Sequence, residues 1–246
     1  MKKLPALSLV FSLVAALSYA EPAEDAAAAA KKLAAAPNYS WTRTTEIANS
    51  QFPAMPVEGQ TEKGGATVTT ASFNGNTFQT VRKGEQVAMQ NREGTWMTME
   101  EMRQQFANGG GGGGGGRGRG GFGFGFGGGG QTTPAEEAAS LAAKIKDAKV
   151  ADGAIVGTLA AEDAGRLLTF GGRGGQTPPA PKDASGTAKF WVKDGALTKF
   201  QVTVKGTVSL PNGDEREIER TTTTELKDVG STKVEVPEEA KKKLGL

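Results

Sequence analysis

Residues 186–209 read GTAKFWVKDGALTKFQVTVKGTVS, the strongest indication of the fold in this chain. Apolar and polar residues alternate on both sides of Asp194-Gly195. In the second arm, one face carries Phe200, Val202, Val204 and Val208, and the other carries Lys199, Gln201, Thr203 and Lys205. A period of two around a glycine-containing turn predicts a β-hairpin. One face of the resulting antiparallel sheet is apolar, so it must cover a core, a partner or a ligand.

Strand patterns continue on both sides of this hairpin. Downstream, we predict strands over residues 216–226 and 232–236. Upstream, we predict strands at Tyr39–Ile47, 67–73, 77–82, 86–90, 95–99 and 154–159, with a turn at Asn74-Gly75. The Pro- and Gly-rich segments 51–65 and 171–186 are typical of loops.

Helices are predicted between and around the strands. Residues 22–36 begin with a proline and acidic residues and carry Lys later, which suits the helix dipole. A disordered low-complexity leader is the alternative for this segment. Further helices are predicted at 100–108, 134–148, 161–170 and 238–244. Strand runs with segregated helices predict an α+β fold with an antiparallel sheet.

Residues 109–130 break the pattern, because 17 of these 22 residues are Gly. Such a segment buries too little apolar surface to offset its ordering cost, so it predicts a disordered Gly-rich loop. We expect a single domain over residues 21–246 with this loop as an insert. Two small domains divided at the tract are the alternative, but each would have few strands and a thin core.

The first 20 residues have the features of a secretory signal peptide. Lys2 and Lys3 precede a short apolar run, and Ser18-Tyr19-Ala20 is a small-x-small cleavage site. The alternative is an uncleaved anchor, but the run is short for a membrane span. We therefore expect an exported protein of the periplasm or the extracellular space, with no transmembrane span after cleavage of the signal.

Composition restricts the chemistry. The chain has no Cys and no His, which excludes disulfides and zinc sites built on these residues, and we expect no metal and no cofactor. The 29 basic and 27 acidic residues become balanced once Lys2 and Lys3 are removed. A neutral exported chain has no electrostatic basis for binding bulk nucleic acid.

Two other functional patterns have simpler explanations. Arg117, Arg119 and Phe122 in the Gly-rich tract are similar to RNA-binding RGG segments, but export and the balanced charge argue against RNA binding, and a spacer is the favoured interpretation. Pairs of acidic residues could serve a His-free hydrolase, yet most of them fall in the first turn of a predicted helix, where they favour the dipole. We therefore expect no enzymatic activity.

Large apolar residues from many predicted strands are the candidate binding residues. A plain core beneath the helices would explain them, and so would a partly open apolar pocket for acyl chains or an apolar peptide. The residues that we predict to line such a pocket are Trp41, Phe78, Trp96, Phe190, Phe200 and Val202.

Three segments of the C-terminal half carry a family resemblance: FWVKDGALTKFQVTV at 190–204, the strand at Thr221–Glu225, and DVGSTKVEVP at 228–237. They resemble the closing half of the periplasmic lipoprotein-carrier superfamily, which includes LolA/LolB-like carriers and LppX/LprG-like lipoproteins. The resemblance implies an open, strongly curved half-barrel, with helices covering the mouth of an apolar cavity. It also implies binding of lipoprotein acyl chains or glycolipids, without catalysis.

The chain departs from that family in two respects. It has no Cys for lipid attachment, and the Gly-rich insert at 109–130 is foreign to the family pattern. Arg43 and Arg82 are both candidates for the latch arginine of LolA. The expected function is non-catalytic binding of a hydrophobic ligand or an acylated lipoprotein. The alternative is an exported structural or interaction module with a filled core and a Gly-rich contact loop.

Overall fold

The computed structural model describes residues 21–50, 54, 56–73, 75–91, 93–107, 132–169, 179–209 and 213–246, and the side chains of all of these except 73, 106 and 107. The predicted signal peptide at 1–20, the predicted loop at 109–130 and residue 74 of the predicted Asn74-Gly75 turn lie outside the described residues.

The described strands form one antiparallel sheet of eleven strands that does not close on itself. Their bounds are β1 Asn38–Ile47, β2 Val57–Glu62, β3 Thr67–Phe73, β4 Asn76–Lys83, β5 Gln86–Gln90, β6 Trp96–Thr98, β7 Lys146–Ala151, β8 Ala154–Leu159, β9 Lys182–Lys193, β10 Ala196–Ser209 and β11 Glu215–Lys227. The spatial order is β6-β5-β4-β3-β2-β1-β11-β10-β9-β8-β7. Two meanders therefore meet where β1 pairs with β11, and both halves of the chain share one sheet.

Five helices accompany the sheet in the described part of the chain: α1 Pro22–Ala35, α2 Met99–Ala107, α3 Pro134–Ala142, α4 Ala161–Leu168 and α5 Glu238–Leu244. The start of α3 is fixed by a capping box, in which Thr133 and Glu136 satisfy each other's backbone N–H groups. Acidic residues occupy the first turn of every one of these helices, as the dipole favours. The structure confirms the α+β prediction and the antiparallel sheet.

The hairpin predicted around Asp194-Gly195 is present as β9–β10. Asp194 and Gly195 have φ angles of 53° and 70°. Two consecutive positive φ angles are the requirement of a type I′ turn, whose twist matches that of the flanking strands. Asp152 and Gly153 repeat this arrangement between β7 and β8, with φ angles of 51° and 72°.

The core is divided between the two faces of the sheet. On the face that carries Phe200 (the Phe200 face), α1, α3 and α4 cover β8–β11 and β1. On the opposite face (the Val81 face), α5 and the partly buried Val234 and Val236 cover β3–β6. The sheet therefore has an apolar side in both directions, at different strands.

Four segments differ from the sequence predictions. Strand β2 lies inside the predicted loop 51–65, and β7 begins inside the predicted helix 134–148, which ends at Ala142. The predicted strand 232–236 is not a strand, because Val234 and Val236 pack over the core of the Val81 face instead of pairing in the sheet. In addition, β9 begins at Lys182, within the predicted loop 171–186.

Candidate functional site

One row of directly opposed residues crosses eight strands on the Phe200 face. From β8 to β4 the row consists of Ile155, Phe190, Phe200, Thr224, Arg43, Val57, Ala71 and Phe78. Directly opposed residues of an antiparallel sheet share a face. The row is apolar at both ends and has a polar centre at β11 and β1, where Thr224 and Arg43 stand side by side.

The helices cover one half of this face. Phe190 and Phe200 are 0% and 1% exposed, and Val202 is buried beside them. All three belong to the cluster that α1, α3 and α4 complete with Leu33, Leu141 and Leu168. Three of the predicted lining residues are therefore buried against the helix layer.

Trp41 lies at the border of the helix layer, with its indole over the backbone of Gly59 on β2. Its Nε1 donates a hydrogen bond to Oγ1 of Thr61 at 3.1 Å. Thr61 is itself buried, so the hydrogen bond satisfies two polar groups that have little access to water. This arrangement requires glycine at position 59, because a side chain there would occupy the space of the indole.

Arg43 connects β1 to the helix layer. Its Nη2 forms an ion pair with Oε2 of Glu137 on α3, and each of the two side chains is 16% exposed. Its Nε donates to Oγ1 of Thr224 at 3.2 Å, and its guanidinium lies 5.5 Å from the centroid of the Trp41 ring. The cation is thus held by a carboxylate, a hydroxyl and an aromatic face.

Two further polar contacts fasten helices to the same region. The hydroxyl of Tyr39 accepts a hydrogen bond from the backbone N–H of Ala135 at 3.3 Å. Burial raises the pKa of this tyrosine. Arg220 on β11 donates to the carbonyl of Leu167 on α4. Burial lowers the pKa of Arg220, and the charge of Glu137 opposes that shift.

A second apolar area lies on the same face beyond Arg43. We call Phe78, Val87, Met89 and Met97 the Phe78 patch. Phe78 follows Ala71 in the row, and the register of β4, β5 and β6 places the other three on the same face. All four side chains are partly buried, yet they belong to neither core cluster and are not among the residues packed against one.

Five of the six predicted lining residues share the Phe200 face, but Trp96 does not. Trp96 is opposed to Gln90 and lies in the Val81-face core at 4% exposure. Its neighbour Met97 takes the position on the Phe200 face, because adjacent residues of a strand point to opposite sides. The Val87-x-Met89 spacing beside Phe78 is the sequence signal that would have identified the rest of the patch.

A groove of about 650 Å³ lies on the Val81 face, between the first strands and residues 235–238. Most of its lining is polar, and only valine, proline, glycine and Trp41 interrupt the polar groups. The lining residues are Ser40, Trp41, Thr42, Glu58, Gly59, Gln60, Val68, Thr70, Gln79, Lys227, Glu235, Val236, Pro237 and Glu238. The groove and the Phe78 patch are therefore on opposite sides of the sheet.

The two arginines named as latch candidates occupy different surroundings. Arg43 contacts helix α3 through Glu137, whereas Arg82 lies on β4, opposed to Thr67 and Val87. Within the described ranges, no group of three or more acidic residues is placed to hold a metal ion. No helix in the same ranges has both the length and the apolar character needed to cross a membrane.

In comparisons with known proteins, no protein-family model matches the chain, and no curated protein is found to be similar to it.

Proposed function

We propose that this chain binds a hydrophobic ligand, a lipid or the acyl chain of a lipoprotein, in the cell envelope and without catalysis. The observation that carries the proposal is the Phe78 patch, whose four large apolar side chains pack against neither core. Contiguous apolar surface outside a core is characteristic of binding sites. In this proposal the unclosed sheet curves as an open half-barrel and holds the ligand against the patch.

The patch adjoins the helix-covered half through Ala71 and Val57 of the same row. Val57 packs against the core of the Phe200 face. Along this row, the apolar surface therefore runs from that core to Phe78. Strands are spaced about 4.8 Å apart, so the part of the row from β1 to β4 spans about 14 Å. This distance is comparable to an extended dodecyl chain.

Apolar burial would drive binding. Each buried methylene group contributes about 0.8 kcal/mol, from which the cost of ordering the chain must be subtracted. A single acyl chain of moderate length therefore suffices for micromolar binding if most of its length is covered.

The alternative function is an exported interaction module. Two observations favour it: Phe190 and Phe200 are fully covered by helices, and the groove of about 650 Å³ on the other face is polar. In that case the partner is a protein or another polar molecule, and lipids do not bind.

Binding of a BODIPY-labelled dodecanoic acid tests the proposal. Met89→Gln and Phe78→Gln should each weaken binding about tenfold, because each removes one large apolar contact. Met99→Gln is the matched control, since Met99 is 39% exposed at the start of α2. If the full chain takes up no label, or if all three variants bind alike, the proposal is wrong.

A further inference from the structure

Arg43 is an unusual residue for the centre of an apolar face. It stands in the row between Phe200 and Thr224 on one side and Val57 and Ala71 on the other. A cation with a 16% exposed side chain is costly unless it is paired. An apolar residue at this position would reduce the polar centre of the row to Thr224 without that cost.

The guanidinium of Arg43 retains unused donors. A guanidinium has five N–H groups, and Arg43 uses Nη2 for Glu137 and Nε for Thr224. Nη1 makes no hydrogen bond to any described residue. The described residues contain one buried side-chain polar atom without a partner, Oδ1 of Asn38, so Nη1 is not sealed off from solvent. Nη1 is therefore the donor that remains for a second group.

The surroundings of Arg43 favour an anion as that second group. Arg220 lies on the neighbouring strand and the same face, with its donor at the carbonyl of Leu167. The hydroxyls of Thr45 and Thr222, which lie 3.4 Å apart, stand between the two arginines. Arginine is suited to planar bidentate recognition of carboxylate and phosphate groups.

We infer that the ligand of the Phe78 patch is an anionic amphiphile, whose carboxylate or phosphate head binds Arg43 while its alkyl chain lies on the patch. This inference rests on the proposed function. Glu137 neutralises Arg43 in the absence of the ligand, and the anionic head competes with Glu137 for the guanidinium. Because of this competition, removing the Glu137 carboxylate should strengthen binding of an anionic head, and removing the Arg43 guanidinium should weaken it.

The experiment compares dodecyl compounds that differ only in the head group. Binding of dodecanoate, dodecyl phosphate, dodecanol and dodecyltrimethylammonium to the full chain is measured by titration calorimetry below the micellar concentration, at about pH 8, where a carboxylate is ionised. We expect the unmodified protein to prefer dodecanoate over dodecanol by about tenfold, the effect of one charge-assisted hydrogen bond. The trimethylammonium compound should bind no better than dodecanol.

Two variants separate a binding role from a structural one. Arg43→Gln should abolish the preference for the anion, so that dodecanoate and dodecanol bind with about the same affinity. Glu137→Gln should strengthen dodecanoate binding about tenfold, because it removes the competing carboxylate, without affecting dodecanol. A purely structural ion pair would give weaker binding of both ligands in both variants.

The double variant Arg43→Gln/Glu137→Gln leaves no uncompensated charge and repeats the test if Arg43→Gln does not fold. Arg216→Gln, at an exposed position of β11, is the control.

Three further results would contradict the anion inference, the proposed function or the amphiphile assignment. Equal affinity for dodecanoate and dodecanol in the unmodified protein would overturn the anion inference while leaving the proposed function intact. Failure of every dodecyl compound to bind would overturn the proposed function as well. Inorganic phosphate is titrated alone and in competition, and if it displaces dodecanoate as well as dodecyl phosphate does, the site takes a free anion and the amphiphile assignment is wrong.

Discussion

Gly59→Ala places a methyl group where the indole of Trp41 lies. A Cβ built on Gly59 would overlap Cζ2 and Cε2 of the ring and would lie 2.7 Å from Nε1. These atoms belong to a rigid ring whose Nε1 is held by Thr61 at 3.1 Å, so the indole cannot move aside while keeping that hydrogen bond. We therefore expect the variant to be destabilised.

The magnitude follows from three contributions. Overpacking of a well-packed site costs about 1–3 kcal/mol. Loss of the hydrogen bond between Trp41 and Thr61 costs about 1 kcal/mol more. Alanine offsets about 0.5–1 kcal/mol of this, because it loses less backbone entropy than glycine in a strand. The free energy of unfolding should therefore fall by about 2 kcal/mol.

Urea unfolding followed by circular dichroism measures the change. Gly165→Ala in α4 is the matched control, because a Cβ there would make ordinary contacts at 3.6 and 3.7 Å with Ala184 and Pro181. A glycine-to-alanine change in a helix stabilises by up to about 1 kcal/mol, so the two substitutions should act in opposite directions.

A double-mutant cycle with Trp41→Phe tests the stated cause. Phenylalanine lacks the second ring, so Gly59→Ala should cost much less in that background than in the unmodified protein. Unchanged stability of Gly59→Ala, or an equal cost with Trp and with Phe at position 41, would show that the indole does not clash with a side chain at position 59.

Three other predictions concern stability and titration. Leu244→Ala should lower the free energy of unfolding by about 2–3 kcal/mol in urea titrations, because Leu244 is 5% exposed in the core of the Val81 face. Leu246→Ala should have little effect, because Leu246 is 43% exposed. Phe200→Ala should cost about 3–5 kcal/mol by the same assay, and a smaller cost than that of Leu246→Ala would contradict its place in the core. The full chain has two tyrosines, so Tyr19→Phe leaves Tyr39 as the sole phenol, and absorbance at about 295 nm should show ionisation with a pKa above the ordinary 10.0. Because folding raises this pKa, the contribution of Tyr39 to stability is complete below pH 10.0 and is lost as the pH rises through the folded-state pKa. A titration midpoint at or below 10.0 in the absorbance measurement would show that the hydroxyl is not buried.

The C-terminal hairpin could be predicted from sequence because local signals agree there. Alternation, β-branched residues and the Asp194-Gly195 turn all indicate the same register, and the positive φ angles of the turn follow from it. Phe200, Val202 and Val204 accordingly share the buried face.

Strands β2 and β7 could not be predicted, because tertiary contacts override their local signals. Gly59 suggested a loop, but its role is to leave room for an indole from the neighbouring strand. Residues 143–148 follow α3 without a glycine or proline, and the helix ends although no local residue stops it. The Asp152-Gly153 turn was a usable signal for the hairpin of β7 and β8, since it repeats the chemistry of Asp194-Gly195.

Sequence reasoning could identify only part of the candidate site, because local signals are ambiguous in strands β4 and β5 as well. Strands β4 and β5 carry apolar residues on both faces, with Val81 and Ala88 on one side and Phe78 and Met89 on the other. Alternation cannot then indicate which side a helix covers, so Trp96 was placed on the wrong side and Met97 was missed.

The two-sided apolar character of β4 and β5 also supports the proposal that the Phe78 patch has an occupant. A sheet that faces water on one side normally carries polar residues there, as β10 does with Lys199, Gln201 and Lys205. Strand β5 places Val87 and Met89 on the Phe200 face, although Ala88 already serves the other core. Under the proposed function, the apolar second side of β5 is the surface that the ligand covers. We propose that an alkyl chain covers the patch and that an anionic head pairs with Arg43 at its border.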